Sequence, residues 1–398
     1  MQPITECRAC KSTDLTEFLD LGEQYLSDFR DDDSKPPKYP IVAVICGGCD
    51  LVQLKHTTPQ PEMYHERYGF KSGVSDSIKA DLRDIVLHAQ VYKDTPKTWL
   101  DIASNDGTLL SYVPRQTYKV GVDPVGFLCK EAEQHADLII NDYFSTGVVE
   151  GEFDVVTSIS CFYDMPDPSQ FVQDVKAVLA KDGVWIIQQN YLLTTMQLSA
   201  VDNFCHEHLE YYTLLSLEHL LGRFGLEVNE VMLSGVNGGS IRTVVSHKGT
   251  HTVDESVEEQ REIEREYGLD TLKPYREFAG EVFFQLKQLN HTIRDLRLAD
   301  KTIAILAAST RGGTIWQGSK IGPDLVDYAV ERNPAKVGKW FSAVGIPIIS
   351  EEEARKRSPD YMIVGPWFFK DEIIKREAQY IKDGGALIIP LPTMEIVV

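Results

Sequence analysis

The chain has 398 residues, 43% hydrophobic and 25% charged, the profile of a globular protein of two or three domains and neither a disordered chain nor a fibre. The 60 acidic against 40 basic side chains give a formal charge of −20, which repels a phosphate backbone; general nucleic-acid binding is excluded, a local basic pocket for one nucleotide is not. No apolar run approaches the roughly 18–20 residues that span a bilayer, and the N-terminus MQPITECRAC lacks a charged-then-apolar leader, so the expectation is a soluble, cytoplasmic protein with no membrane partner.

The first feature in chain order is a pair of knuckles, Cys7-x-x-Cys10 and Cys46-Gly47-Gly48-Cys49. Two such turns supply four thiolates, the tetrahedral set that suits zinc, and leave no open position for water, so the expected role is structural. A reducible disulfide pair or unrelated core cysteines are the bland alternatives, and the 35 residues between the pairs exceed the commonest zinc spacing. Cys129, Cys161 and Cys205 stand alone and read as small buried hydrophobes. Residues 1–60 are expected to be a small zinc-stapled domain with too little apolar sequence for its own core.

Residues 61–250 read as a second domain. Tyr64, Tyr68 and Phe70 precede a helical run with Ile78, Leu82, Ile85 and Val86 on one face, capped by Ser75 or Asp76. Strands are expected at 98–103, 119–123, 138–141, 153–159 and 184–188, with a helix at 168–179 before the last. Such alternation gives a parallel sheet covered on both faces. Residues 251–398 read as a connector of one or two long charged helices over 253–299 and a second α/β unit. Its strands are TIAILAA, LVDYAV, YMIVGPW and ALIIPL, with a charged helix at 370–382.

The strand TWLDIA runs into Ser104-Asn105-Asp106-Gly107-Thr108, and the next strand ends at Asp123, where an acid can accept from ribose hydroxyls. The dinucleotide fingerprint is absent, because Asp101 and Ala103 stand where its first two glycines belong. The turn better suits an adenosyl ligand without phosphates, such as S-adenosylmethionine, with Asn141-Asp142-Tyr143-Phe144 placed for the adenine. A turn that merely needs glycine is the bland reading. Further on, Asp202-Asn203-Phe204-Cys205-His206-Glu207-His208-Leu209-Glu210-Tyr211-Tyr212 is the densest cluster of functional groups. Two histidines at i and i+2 do not match the i, i+4 spacing of zinc proteases. An imidazole base that removes a proton from an activated C–H fits better, beside Glu207. The bland alternative is a satisfied polar turn.

Together these motifs resemble the S-adenosylmethionine-dependent sugar C-methyltransferases that act on nucleotide-linked 4-keto sugars. The resemblance spans nearly the whole chain. It rests on the cysteine pairs with Leu51-Val52-Gln53-Leu54, on Tyr68 through Ser72-Gly73, on Asp101 to Gly107 and on Phe204 to Tyr212. Further on it rests on Asn237-Gly238-Gly239-Ser240-Ile241-Arg242, on Ala308-Ser309-Thr310-Arg311-Gly312, and on the run Asp327 to Gly338. It implies a zinc-binding domain, a class I (Rossmann-like) methyltransferase sheet and a C-terminal Rossmann-like domain, with the nucleotide sugar between the last two.

By that resemblance His208 is the base that generates an enolate at C3, with Glu207 beside it and Tyr211 and Asp164 among the catalytic candidates. Asp101, Ala103, Asn105, Gly107, Asp123, Asp142, Tyr143, Tyr68 and Ser72 would hold S-adenosylmethionine. Gly238, Gly239, Ser240 and Arg242 would line the substrate, and Ser309, Arg311 and Lys336 would meet its diphosphate. Zn2+ would be held by Cys7, Cys10, Cys46 and Cys49, and the protein would be a monomer or weak homo-oligomer. Two positions depart from the family: Cys205 stands where members have a tyrosine before His-Glu-His, and Asp164 where they have a histidine. A thiol and a carboxylate are not enolate donors as phenol and imidazolium are; Tyr163, Tyr211 or Tyr212 would have to replace them. The alternatives are an O- or N-methyltransferase on a related sugar, a sugar-nucleotide-binding protein without catalysis, and a nicotinamide enzyme, against which the missing glycines count.

Overall fold

The computed structural model describes residues 2–65 and 68–398. Four strands come first: β1 (Leu15–Tyr25), β2 (Phe29–Arg30), β3 (Lys38–Cys46) and β4 (Val52–Leu54). β1, β3 and β4 pair antiparallel, whereas β2 leaves this sheet and joins the C-terminal one. The shortage of apolar sequence near the N-terminus is therefore met by sharing: Leu19, Ile41, Ala43, Ile45 and Leu51 are buried in the same core as residues of both later units.

The middle unit opens with α1 (Asp76–Tyr92), whose cap is Ser75: its Oγ accepts from the Ile78 amide at 3.4 Å. There follow β5 (Thr98–Ile102), α2 (Thr108–Tyr112), β6 (Tyr118–Val122), α3 (Gly126–Ala132), β7 (Leu138–Ile140), β8 (Phe153–Ile159), α4 (Pro168–Val178), β9 (Leu179–Asn190), α5 (Leu192–Gln197), β10 (Glu210–Tyr211), α6 (Leu214–Gly222), β11 (Leu226–Ser234) and β12 (Ser240–His247). The sheet runs β11-β12-β9-β8-β5-β6-β7. The five strands β7, β6, β5, β8 and β9 are parallel, as the alternation of segments predicts. β11 and β12 form an antiparallel pair added to β9, where the sequence suggested only a glycine turn. The chain winds out from β5 in both directions, so the crevice at its carboxyl end is a topological switch point, where such folds bind ligands.

β10 belongs elsewhere. Glu210 pairs with Gln53 and Tyr211 with Val52, so the N-terminal sheet is completed as β1-β3-β4-β10 by two residues of the middle unit.

The last unit begins with α7 (Glu255–Tyr267) and α8 (Leu272–Leu298); of the one or two long helices expected over 253–299, there are two. Then come β13 (Ile303–Leu306), α9 (Gly312–Gly318), β14 (Tyr328–Glu331), β15 (Trp340–Phe341), β16 (Ile346–Ser350), α10 (Glu351–Arg357), β17 (Tyr361–Val364), α11 (Lys370–Arg376), α12 (Ala378–Lys382), β18 (Ala386–Ile389) and β19 (Glu395–Val397). The order β19-β18-β17-β13-β14-β16-β15-β2 makes a second doubly wound sheet centred on β13. The helix expected at 370–382 breaks at Glu377, whose buried carboxylate lies between Arg355 and Arg376. Among the described residues no helix is long and apolar enough to cross a membrane. α8 ties the units together: Tyr275 packs on Phe18 of β1 (centroids 5.2 Å apart) and Phe278 on Phe204 (5.6 Å).

Candidate active site and zinc centre

The two knuckles are copies of one turn. The Lys11 amide donates to the Cys7 carbonyl and the Asp50 amide to the Cys46 carbonyl, each at 3.0 Å. Lys11 (φ 66°) and Asp50 (φ 55°) close the turns in the left-handed region. The four sulfurs lie within 4.8 Å of one another, with Cys7–Cys49 at 3.6 Å and Cys10–Cys46 at 3.5 Å. A disulfide needs about 2.05 Å. Zn–S bonds of about 2.3 Å in a tetrahedron put sulfurs roughly 3.8 Å apart, so the cluster fits zinc. Gln53 Nε2 donates to Cys7 Sγ at 3.2 Å and the Gly48 amide to Cys46 Sγ at 3.3 Å, the outer hydrogen bonds that thiolate ligands use.

A cleft of about 390 Å³ opens at the carboxyl ends of β5, β6 and β8. Ala103 (φ 59°), Asn105 (φ 53°) and Gly107 (φ 76°) turn the chain sharply there. A Cβ on Gly107 would come within 2.9 Å of Ala132 Cα, so the residue must be glycine. Asp123 accepts from the amides of Asn105 (2.9 Å) and Val125 (2.8 Å), which orient its carboxylate and leave a lone pair on each oxygen. Ser72 and Gly73 close over the turn, their amides donating to Asn105 Oδ1 and Asp106 Oδ2 at 2.9 Å. Ala103, Asn105, Asp123, Asp142, Tyr143, Tyr68 and Ser72 all line the cleft, with apolar Ile102, Val125 and Phe171. Asp101 lies beneath it, its Oδ1 accepting from Thr157 at 2.6 Å, and burial pushes its carboxyl up to about 7.

The charge of the lining tests the ligand. Asp123, Asp142, Asp164, Asp167 and Asp174 face the cleft, and no described Lys or Arg does. A pyrophosphate would be repelled; an adenosyl group bearing a sulfonium and an ammonium would be attracted. The residues present therefore fit S-adenosylmethionine.

Next to this cleft the His-Glu-His segment is held by backbone carbonyls. His208 is buried, and its Nδ1 lies 2.8 Å from the Asn203 carbonyl. A carbonyl only accepts, so Nδ1 carries the proton and Nε2 a lone pair. Burial, helped by nearby Arg311, lowers the imidazole pKa to about 3, which keeps it neutral. The Tyr163 ring stands edge-on to it at 4.4 Å. His206 is committed differently: its Nε2 donates to the Tyr39 carbonyl of β3 at 2.9 Å, and burial lowers its pKa to about 4. Glu207 lies between them, half-buried, its carboxyl raised to about 7 by burial against the pull of Lys336. The Cys205 thiol, Glu207 carboxylate and His208 nitrogen lie within 4.8 Å of one another. Tyr68 forms a common wall, lining both the cofactor cleft and a small pocket that contains Cys205, His206 and Glu207.

Several expected residues are engaged elsewhere. Tyr211 stacks on Phe204 (4.2 Å) and its hydroxyl donates to the His208 carbonyl at 3.0 Å, so it braces the segment from behind. Tyr212 is buried against Phe162. Arg242 lies away from any substrate surface: its guanidinium binds Gln188 (2.7 Å), Asp84 (2.8 Å) and Asp81 (3.3 Å) beneath α1. A residue at that point of β12 faces α1, a register invisible while 237–242 reads as a turn. Gly238, Gly239 and Ser240 do line a groove with Trp367 and Phe368 of the last unit, and a Cβ on Gly239 would collide with Thr194 at 2.1 Å. Arg311 donates to Asp202 (2.8 Å) and the Asn237 carbonyl (2.9 Å) and lies over Phe368. Lys336 donates to the Ala308 carbonyl at 2.9 Å. Ser309 Oγ accepts from the Gly312 amide at 3.0 Å. Sequence reasoning missed Tyr64, whose hydroxyl donates to Asp164 Oδ2 at 3.0 Å. It also missed Asn203 as the carbonyl anchor; a main-chain role leaves no side-chain signal.

Comparison with known proteins agrees with this arrangement. Residues 7–64 match a zinc binding domain, 76–231 a methyltransferase domain and 235–392 a C-methyltransferase C-terminal domain. The chain is 28% identical to the C-methyltransferase NovU of Streptomyces niveus, across 100% of its own length and 98% of that protein's. Solved structures that part of the chain resembles include an S-adenosylmethionine-dependent methyltransferase from Clostridium acetobutylicum (15% identity, TM-score 0.36, 44% of this chain and 94% of that one). The N-methyltransferase NodS of Bradyrhizobium japonicum is another (12%, 0.35, 44% and 98%). The chain is thus an S-adenosylmethionine-dependent C-methyltransferase, with a zinc binding domain before the methyltransferase domain and a C-methyltransferase C-terminal domain after it.

Proposed function

We propose that the enzyme methylates the carbon next to a ketone, C3 of a nucleotide-linked 4-keto-deoxysugar, with His208 as the base. The observation that carries this reading is the tautomer of His208. Its Nδ1–H is spent on Asn203, which leaves the lone pair on Nε2; the ring lies within 4.8 Å of the Glu207 carboxylate, and Glu207 lines a pocket that shares Tyr68 with the acidic cleft. S-adenosylmethionine, when bound, supplies an electrophilic methyl group. The chain's own residues do the rest. Asp123 and Asn105 would hold the adenosyl end and Asp101 would sit below it. His208 Nε2 accepts the proton from the sugar carbon, whose electron pair is then free to attack. Tyr64 and Tyr68 line the cleft and Tyr163 packs on His208, and alignment of carbon and methyl at roughly 3–3.5 Å would carry much of the acceleration.

Glu207, near neutrality, suits a hydrogen bond to a sugar hydroxyl. Arg311 and Lys336, with the Ser309 hydroxyl, would supply the cationic side on which a diphosphate would lie. Arg311 and Lys336 would do so while keeping their present partners, since each guanidinium or ammonium has donors to spare. The zinc has no part in the chemistry in this reading. The strong negative charge supports a protein that acts apart from nucleic acid; a cytoplasmic location and a monomer or weak homo-oligomer are part of the same proposal.

The test is incubation with S-adenosylmethionine and a panel of 4-keto nucleotide sugars. The expected result is a mass gain of one methylene, preceded in heavy water by deuterium uptake at the same carbon. His208→Ala should lose both by about 10³-fold or more while cofactor binding by calorimetry persists. Methylation of a sugar oxygen without carbon exchange, or unchanged turnover in His208→Ala, would overturn the reading.

A further inference from the structure

Asp164 closes the short turn after β8, against the cofactor cleft. Its Oδ2 accepts from the Tyr64 hydroxyl, whereas its Oδ1 is buried and has no hydrogen-bond partner among the described residues. An ionised carboxylate so placed would leave an anionic oxygen dry and unpaired, which is costly. The titratable groups that face it do not help: Glu207 and Glu210 are acids that burial itself pushes up, and Asp123, Asp142, Asp167 and Asp174 line the same cleft. The other titratable groups around it are the hydroxyls of Tyr64, Tyr68, Tyr163 and Tyr211 and the thiols of Cys161 and Cys205. The nearby cations are engaged: Arg311 with Asp202, Arg8 with Glu210, Lys336 with Glu331. Burial, then Glu207, drives the Asp164 carboxyl well above the usual carboxylate range, against the hydrogen bond from Tyr64.

We infer that Asp164 serves as a neutral carboxylic acid whose Oδ1–H donates a hydrogen bond to the enolate oxygen of the substrate. Tyr64 fixes the tautomer: by donating to Oδ2 it leaves the proton on Oδ1, the oxygen without a partner. The balance is simple. The carbon-bound proton goes to His208 Nε2, the enolate oxygen is held by the Asp164 hydroxyl, and on methyl transfer the carbonyl re-forms with Asp164 still protonated. An ionised carboxylate cannot donate, but a protonated one can, so a carboxyl at this position is compatible with enolate chemistry. The role rests on the proposed function above.

Two readouts separate it from that reading. The first needs no turnover: infrared difference spectra of the zinc-loaded, full-length protein against Asp164→Asn at neutral pH. A carbonyl stretch of a protonated acid that shifts in heavy water supports the inference. Its absence overturns it even if the enzyme is fully active. The second is kinetic. Asp164→Asn, whose amide can both accept from Tyr64 and donate, should keep turnover within about tenfold, whereas Asp164→Ala should lose about 10²–10³-fold, the usual cost of one such donor. Wild-type turnover should fall as alkaline pH ionises Asp164, and that limb should vanish in Asp164→Asn. An Asn variant as poor as the Ala variant would overturn the donor role. Methylation of no ketone sugar, with the infrared band present, would remove the enolate role through the function it depends on.

Discussion

Two polar clusters in this molecule were assembled in different ways. The four cysteines come from two copies of one local turn, each closed by its own backbone hydrogen bond and a left-handed residue. The site around His208 is gathered from Tyr64, Asp164 and the 202–208 segment. There each group is fixed by a partner that is remote or lies on the main chain. The first cluster is legible in a spacing rule; the second only in space. Yet the two are joined. β4 follows the second knuckle directly and pairs with β10, which starts two residues after His208, and the Leu54 amide donates to the Leu209 carbonyl at 2.8 Å. The zinc-binding sheet is therefore joined, through β4 and β10, to the segment that carries His208.

The most severe way to break that connection is to take the metal away. Structural zinc in small domains contributes about 10–16 kcal/mol of apparent binding energy, which is also folding energy. Chelation of the holoenzyme should release one zinc per chain, loosen β3 and β4, and abolish turnover although no catalytic group touches the metal. Metal content and activity, followed together as zinc is returned, would check this. Full turnover in zinc-free protein would show that the two clusters are independent.

A milder cut lies inside the first knuckle. Arg8 is buried, donates to the Leu54 carbonyl (2.6 Å) and to Thr57 (2.8 Å), and its Nε stands 3.6 Å from the fully buried carboxylate of Glu210. Removal of one member of a buried pair costs about 3–5 kcal/mol, because the other is left uncompensated. Burial pushes the Glu210 carboxyl up against the pull of Arg8, so that figure is an upper bound: Arg8→Met should lower stability in urea by up to that amount and reduce turnover, since Glu210 lies two residues from His208. In an Glu210→Leu background the same substitution should cost far less. Equal costs in both backgrounds would mean that the pair carries no coupling.

How much of this could be read from the sequence follows from the range of each interaction. The five parallel strands, α1 with its Ser75 cap and the two long helices were legible because hydrophobic period and capping are local. Cys7, Cys10, Cys46 and Cys49 were legible for the same reason. The β11–β12 pair was not, since Gly238-Gly239 advertised a turn and hid the strands on either side of it. Arg242 was therefore set on the substrate side, when the pleat of β12 points it at Asp81 and Asp84. Nor could a sequence show that β2 and β10 are exchanged between units, because strands of two residues carry no period of their own. Asp164 was visible as a residue; its protonation depends on Tyr64, Glu207 and Glu210, which only the fold brings near.

The smallest expected effect sharpens the contrast between the two histidines of the segment. His206 donates to β3 and has a folded-state pKa lowered from 6.5 to about 4 by burial. A depressed imidazole contributes stability that is present above its unfolded pKa and lost as pH falls through 6.5 toward 4. His206→Gln keeps a donor for the Tyr39 carbonyl but cannot titrate. Between pH 7.5 and pH 4 the wild type should therefore lose about 3 kcal/mol relative to this variant, an upper value taken from the size of the shift. At neutral pH the two should differ by about 1 kcal/mol or less, and turnover should remain, because the ring serves the join between β3 and the segment and not the reaction. Urea titrations of both proteins at the two pH values measure the difference directly. A gap that does not widen with acid would mean that His206 is free to protonate in the fold, and that the segment is held to the zinc sheet by the β4–β10 pairing alone.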